Sequence, residues 1–238
     1  MIIYKALGID IYKAEMLSFV GGGGKTTTIF ELAKEFISLN KKILISTTTR
    51  IFTPLKEEYT YLFLKDIDRD FNPLNGTITI LGREIKNGKL EGISSEKLEE
   101  IFARNIFDII LIEADGSKRK PIKAPGNHEP VIPMTSTKTI GVIGLDSLGK
   151  AIDEDTVHRP ELLRDIVGRN FIIDEEVIVK LVLDKNGLFK NASRDKILLL
   201  NKANDEMKIC KAKRIRRILD DKHFNNVAIA DIKEKKFY

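Results

Sequence analysis

Four consecutive glycines, Gly21 to Gly24, followed by Lys25-Thr26-Thr27-Thr28, constrain this chain more than any other stretch. They lie between an apolar run, Met16 to Val20, and an amphipathic run, Thr28 to Asn40, so the order reads strand, loop, helix. Glycine lets the backbone turn tightly enough for several N–H groups to face one anion. The helix start adds the positive end of its dipole. The expectation is a phosphate-binding P-loop: Gly21, Gly22, Gly23 and Gly24, with Thr26 and Thr27, holding the nucleotide, Lys25 on the β- and γ-phosphates, and the Thr26 hydroxyl on Mg²⁺. The common spacing, G-x-x-x-x-G-K-[ST], asks for glycine where this chain has Phe19. The competing reading is a flexible glycine loop with an incidental lysine.

Later segments repeat the same alternation. Ile29, Leu32, Ala33, Phe36 and Ile37 recur at helical spacing, and Lys42 to Thr47 reads as a parallel strand covered on both faces. Thr77 to Ile80 and Ile85 to Leu90 read as antiparallel strands turning at Asn87-Gly88, within a β-rich insertion at about 59–93. Ser95 opens a helix, Asp108 to Glu113 and Thr139 to Leu145 are apolar strands, and Pro160 starts a helix ended by Gly168. A further helix is expected over 171–188, then a strand from Lys196 to Asn201. A helix from Asp205 to Asp220 and a strand from Val227 to Asp231 complete the chain. The expected fold is one P-loop NTPase-like three-layer α/β domain over 1–238, with a mostly parallel sheet and a small β-hairpin insertion.

The chemistry should gather at the carboxyl ends of these strands. Glu113 and Asp115 are two apart at a strand end, so both can face the same crevice as catalytic acids, with Glu113 also ordering Mg²⁺. Gly116 to Pro125 follows with Lys118, Arg119, Lys120 and Lys123, a cationic loop suited to an anionic second substrate or the γ-phosphate. His128-Glu129 and His158-Arg159 supply two histidines near glutamates, for either a metal site or acid–base work. Thr48 and Arg50, in the Ser46 to Arg50 run, put hydroxyls and a guanidinium at the same edge. Asn201-Lys202 stand where guanine-specific P-loop proteins carry N-K-x-D. Here Asn204 replaces the aspartate, and an amide cannot accept from both guanine donors without offering its own N–H, so the nucleotide is left as ATP or GTP.

Charge and composition add limits. With one cysteine, Cys210, neither an intramolecular disulfide nor a cysteine zinc cluster can form. The net charge of +5 is mild, and the most basic stretch, Lys208 to Arg217, has the spacing of an amphipathic helix with a solvated face, so no nucleic-acid partner is expected. No targeting segment or membrane-length apolar run is read, and the expected compartment is the cytoplasm.

Taken together, several stretches resemble the YqeC family. They are Val20 to Thr27, Thr47 to Arg50, Glu113-Ala114-Asp115-Gly116-Ser117, Lys123-Ala124-Pro125 with His128-Glu129-Pro130, Val142 to Asp146, Val157 to Glu161, and Asn201-Lys202. The family is regarded as an accessory factor for selenium-dependent molybdenum hydroxylases. The resemblance implies a Mg²⁺-nucleotide-binding protein, an NTPase by expectation, that assists maturation or cofactor insertion. Its implied partners are a molybdenum or selenium cofactor and the target hydroxylase. More distantly, the acid at the strand end looks like that of nickel-delivering GTPases. Those carry an extra lysine early in the loop, where this chain has Val20. Two alternatives stay open: a small-molecule kinase moving the γ-phosphate to an anionic metabolite, and a cofactor-binding module with nucleotide as a latch.

Overall fold

The computed structural model describes residues 2–193 and 195–238. Its centre is a nine-stranded sheet. From one edge the order is Lys236–Phe237, Val227–Asp231, Asp195–Asn201, Lys138–Gly144, Glu15–Gly21, Ile109–Glu113, Lys42–Thr47, Thr77–Gly82 and Tyr61–Leu64. Every neighbouring pair is parallel except the one at the Lys236–Phe237 edge.

Parallel strands connected by helices must be covered on both faces, which is why the central strands are apolar at nearly every position. Alternation then sorts their side chains into two cores. Leu17 and Phe19 point to one side with Ile43, Ile45, Ile109 and Leu111, against Ile29, Leu32 and Phe36 of the Lys25–Ser38 helix. Met16 and Val20 point to the other, with Leu44, Ile110 and Ile112. That side is covered by the helices Ser95–Ala103, Pro160–Val167, Glu175–Leu183 and Glu206–Asp220, which contribute Leu98, Leu163, Ile178 and Ile215. The result is three layers, as expected. Phe19, which breaks the common glycine spacing, is fully buried within the first strand and so belongs to the core rather than to the loop.

The Ile3–Ala6 helix is too short to hold itself. It is fastened by Glu35, whose carboxylate accepts from the N–H groups of Ile3 (2.9 Å) and Tyr4 (3.1 Å).

Two sequence expectations are corrected. The Asn87-Gly88 hairpin forms, pairing Ile85–Lys86 with Lys89–Glu91, and its outer partner is Arg50–Phe52. Thr77–Gly82, however, is not antiparallel to it. It runs parallel between Lys42–Thr47 and Tyr61–Leu64, so much of the stretch read as a β-rich insertion extends the main sheet. The helix expected over 171–188 is confined to Glu175–Leu183. Asp174 caps its start by accepting from Val177 N–H. The preceding backbone is diverted to the 150–152 segment, through Ile152 N–H to Phe171 O and Ile173 N–H to Lys150 O.

Candidate functional site

The carboxyl ends of five strands converge at the start of the Lys25–Ser38 helix. Register fixes the neighbours: Glu113 lies beside Phe19 on one side and Thr47 on the other. The glycine loop above them is packed, not loose. Gly23 has φ +78°, and a Cβ there would fall 2.1 Å from Gly144 N. Two of its N–H groups are already spent, Gly22 on Val142 O (2.9 Å) and Gly23 on Lys120 O (3.1 Å). Gly21 N–H goes to Asp115 Oδ2 at 3.0 Å. The loop glycines through Gly23 thus shape the turn. Among the described residues, no acceptor takes the N–H groups of Gly24, Lys25, Thr26 or Thr27, and Thr28 is the first to bond back, to Gly24 O. These four unpaired donors sit at the positive end of a 14-residue helix.

Lys25 folds back. Its Nζ donates to Gly21 O at 2.6 Å and lies 3.0 Å from Asp115 Oδ1 and 3.7 Å from Glu113 Oε1. Burial pulls the lysine pKa down, but the Asp115 and Glu113 charges outweigh it and leave the ammonium above its ordinary range. Burial pushes the Glu113 carboxyl above its ordinary range, an effect that Lys25 and a hydrogen bond from Thr26 offset only in part. That bond, Thr26 Oγ1 to Glu113 Oε2 at 2.7 Å, places two hard oxygen donors beside the unpaired N–H groups. A hydroxyl and a carboxylate so placed fit Mg²⁺ bound together with phosphate oxygens.

Asp115 is almost fully buried and does not reach the cleft in front of the loop. It holds Gly21 N–H, Lys25 and, at 3.2 Å, Lys123 behind the loop, whereas the sequence expectation had it facing the crevice. Lys123 is likewise turned inward, donating to Gly116 O (2.6 Å) and Glu129 Oε2 (2.5 Å). Glu129 also pairs with Arg159. Burial would raise its carboxyl, yet the Arg159 and Lys123 hydrogen bonds hold it down at about 2.

The cleft has a volume of about 1130 Å³. Thr48, Arg50, Lys120, Glu129, His158 and Arg159 all line it, with Gly23 to Thr27, Glu113 and Lys202. His158 is carried there by the short strand Val157–His158, paired with Ile122–Lys123. Burial and the Arg159, Lys123 and Lys118 charges push its pKa down to about 4, so it is neutral at pH 7. His128 is exposed and outside the cleft, so the two histidines are not brought together. Among the described residues, no group of three or more His, Cys, Asp or Glu is placed to hold a metal ion. Asn201 lies under the loop, donating to Gly23 O at 2.9 Å and accepting from Ile232 N–H at 3.1 Å. Lys202 pairs with Asp146 at 2.7 Å.

Sequence reasoning missed Phe52, Arg83, Lys89 and Glu91, which also line the cleft. The Asn87-Gly88 turn marked the hairpin that carries Lys89 and Glu91. Nothing local marked the face it turns to the site.

A parallel sheet covered on both faces, with a glycine loop leading into a helix beside an acid-tipped strand, defines a P-loop-like three-layer α/β protein. The YqeC protein family matches residues 17–161, a span holding the loop, Glu113 and His158. The chain is 35% identical over 194 residues to YqeC of Escherichia coli (strain K12), covering 78% of this chain and 75% of that protein. It belongs to the YqeC family. No helix among the described residues is long and apolar enough to cross a membrane.

Proposed function

We propose that this protein binds a Mg²⁺–nucleoside triphosphate, ATP or GTP, at the Gly24–Thr27 helix start and hydrolyses it to assist maturation of a selenium-dependent molybdenum hydroxylase. The observation that carries the nucleotide reading is the set of four unpaired N–H groups on Gly24 to Thr27, next to the Thr26–Glu113 pair. Phosphate oxygens are the acceptors such a set suits. Thr26 and Glu113 would hold Mg²⁺, which would offset phosphate charge. Lys25 would leave Gly21 O and Asp115 for the phosphates, and Asp115 would keep the loop in place through Gly21 N–H and Lys123. Glu113, at the cleft's inner wall, is the carboxylate positioned to orient an attacking water. The maturation role rests on the chain's place in the YqeC family.

A second reading, a small-molecule kinase, is favoured by the cleft itself. Its cationic wall extends well past the helix start, through Lys120, Arg159 and Arg50, leaving room for an acceptor beside a nucleotide. Neutral His158 on that wall would then take a proton from the acceptor.

The test is titration with non-hydrolysable ATP and GTP analogues in Mg²⁺, using Lys25→Ala and Thr26→Ala alongside, followed by product analysis. Micromolar binding lost in both variants supports the site, free phosphate alone marks the NTPase, and a phosphorylated acceptor marks the kinase. Unchanged affinity in both variants sinks the assignment.

A further inference from the structure

The cleft has a second, separately built cluster of cations. Its floor is Glu91, 6% exposed, whose two oxygens are each taken by a different arginine: Oε1 by Arg50 Nε at 2.7 Å and Oε2 by Arg83 Nη2 at 2.6 Å. The two guanidiniums are themselves open, with side chains 66% and 58% exposed. One buried carboxylate therefore orients two forks and leaves most of their donors facing the cleft. Glu91 ends the hairpin strand Lys89–Glu91, which pairs with Arg50–Phe52, and the chain just after it is tied to the main sheet, with Ile93 N–H bonded to Thr47 O at 2.9 Å. Beside them stands Phe52, 55% exposed, with the Arg119 guanidinium 4.4 Å and the Lys89 ammonium 5.6 Å from its ring centre. Among the described residues, the other carboxylate within 4 Å of these cations is Glu84, 3.7 Å from Arg83 and itself half-exposed.

We infer that Arg50 and Arg83, oriented by Glu91, clamp the phosphate of a phosphorylated small molecule whose planar body lies against Phe52 and Arg119. Strand order says why this is not the nucleotide's own phosphate site. Lys202 follows a strand two places to one side of the glycine-loop strand. Arg50 and Arg83 follow strands two and three places to the other side. At about 4.8 Å per strand, the strands that lead to Arg50 and Arg83 are roughly 10–14 Å from the glycine-loop strand. A molecule held there by its phosphate has its other end near Lys25 and Glu113, as a second substrate requires. The inference deepens the nucleotide reading and depends on it only for what occupies the near end of the cleft.

The probe is phenyl phosphate, followed through the arginine Nε–H signals in a proton–nitrogen NMR titration of the full chain. The titration is run on the free protein, on protein saturated with a non-hydrolysable nucleotide analogue, and on Lys25→Ala. Saturable binding should move the Arg50 and Arg83 signals in all three. Arg50→Gln with Arg83→Gln should weaken it about tenfold or more while leaving affinity for the nucleotide analogue unchanged. Arg83→Lys, which keeps the charge but loses the fork, should also weaken it. Absence of saturable binding, binding indifferent to the double substitution, or displacement by the nucleotide analogue each overturns the clamp. Because the free protein and Lys25→Ala are included, a protein that binds no nucleotide still tests it.

Discussion

Lys25 Nζ lies 3.0 Å from Asp115 Oδ1, and both side chains are 2% exposed. The residue expected to meet phosphate is thus paired with a carboxylate inside the protein. Breaking a buried pair from one side leaves an uncompensated charge. Lys25→Ala should therefore cost on the order of 3 kcal/mol in a denaturant melt without nucleotide. Separately, it should cost about 1.5–3 kcal/mol of nucleotide affinity through the lost charge-assisted contact. A melt unchanged from the native protein would contradict the buried pair.

Asp115→Asn separates positioning from chemistry. The amide can still accept from Gly21 N–H but no longer holds Lys25 by charge. Folding stability should fall, by about 2–4 kcal/mol. Nucleotide-analogue affinity should rise, since less competes for the ammonium. A fall in affinity would place Asp115 against the ligand instead.

Thr26→Ala removes the hydroxyl that donates to Glu113. Affinity measured with and without Mg²⁺ should then converge, with the Mg²⁺-dependent gain reduced about tenfold. A gain as large as in the native protein would show that Thr26 is not a metal ligand.

The cleft wall should make the protein acid-labile in two stages. Both groups have folded pKa values below their ordinary ones: His158 at about 4 against 6.5, Glu129 at about 2 against 4.5. In each case the unfolded chain takes the proton first, so stability is full above the unfolded value and is lost as pH falls toward the folded one. His158 acts between 6.5 and 4, and Glu129 between 4.5 and 2. In stability-versus-pH curves, His158→Gln should flatten the upper window and Glu129→Gln the lower. A variant that leaves its window's slope unchanged refutes that assignment.

Gly23 and Gly149 share a positive φ, +78° and +80°, but differ in surroundings. A Cβ at Gly23 would meet Gly144 N at 2.1 Å, whereas one at Gly149 has nothing within 4 Å. Gly149→Ala should cost only about 1–2 kcal/mol of backbone strain. Gly23→Ala should cost clearly more, since backbone must move, and should abolish nucleotide binding. Equal melts for the two variants would mean that the loop is slack.

By itself the sequence determined the local elements and the fold class. Apolar runs such as Lys42 to Thr47 can be satisfied only within a covered parallel sheet. Glycines before Lys25, proline at 160 and Asn87-Gly88 each impose a backbone conformation that depends on near neighbours alone. Tertiary structure decided what depends on distant partners. Thr77–Gly82 reads like a member of a local hairpin because its alternation suits either neighbour. Pairing with Lys42–Thr47 makes it a parallel strand of the main sheet. Lys123 and Asp115 look like exposed site groups in a charged loop, yet both are buried, with the Asp115 carboxylate set between the Lys25 and Lys123 ammoniums. His128 and His158 have similar local sequence, and only strand pairing at Val157–His158 takes one into the cleft. The Arg50–Glu91–Arg83 clamp joins residues up to 41 positions apart, as the sequence numbers give. A charge pair of that kind is set by where the sheet brings two chain segments, and no periodicity encodes it.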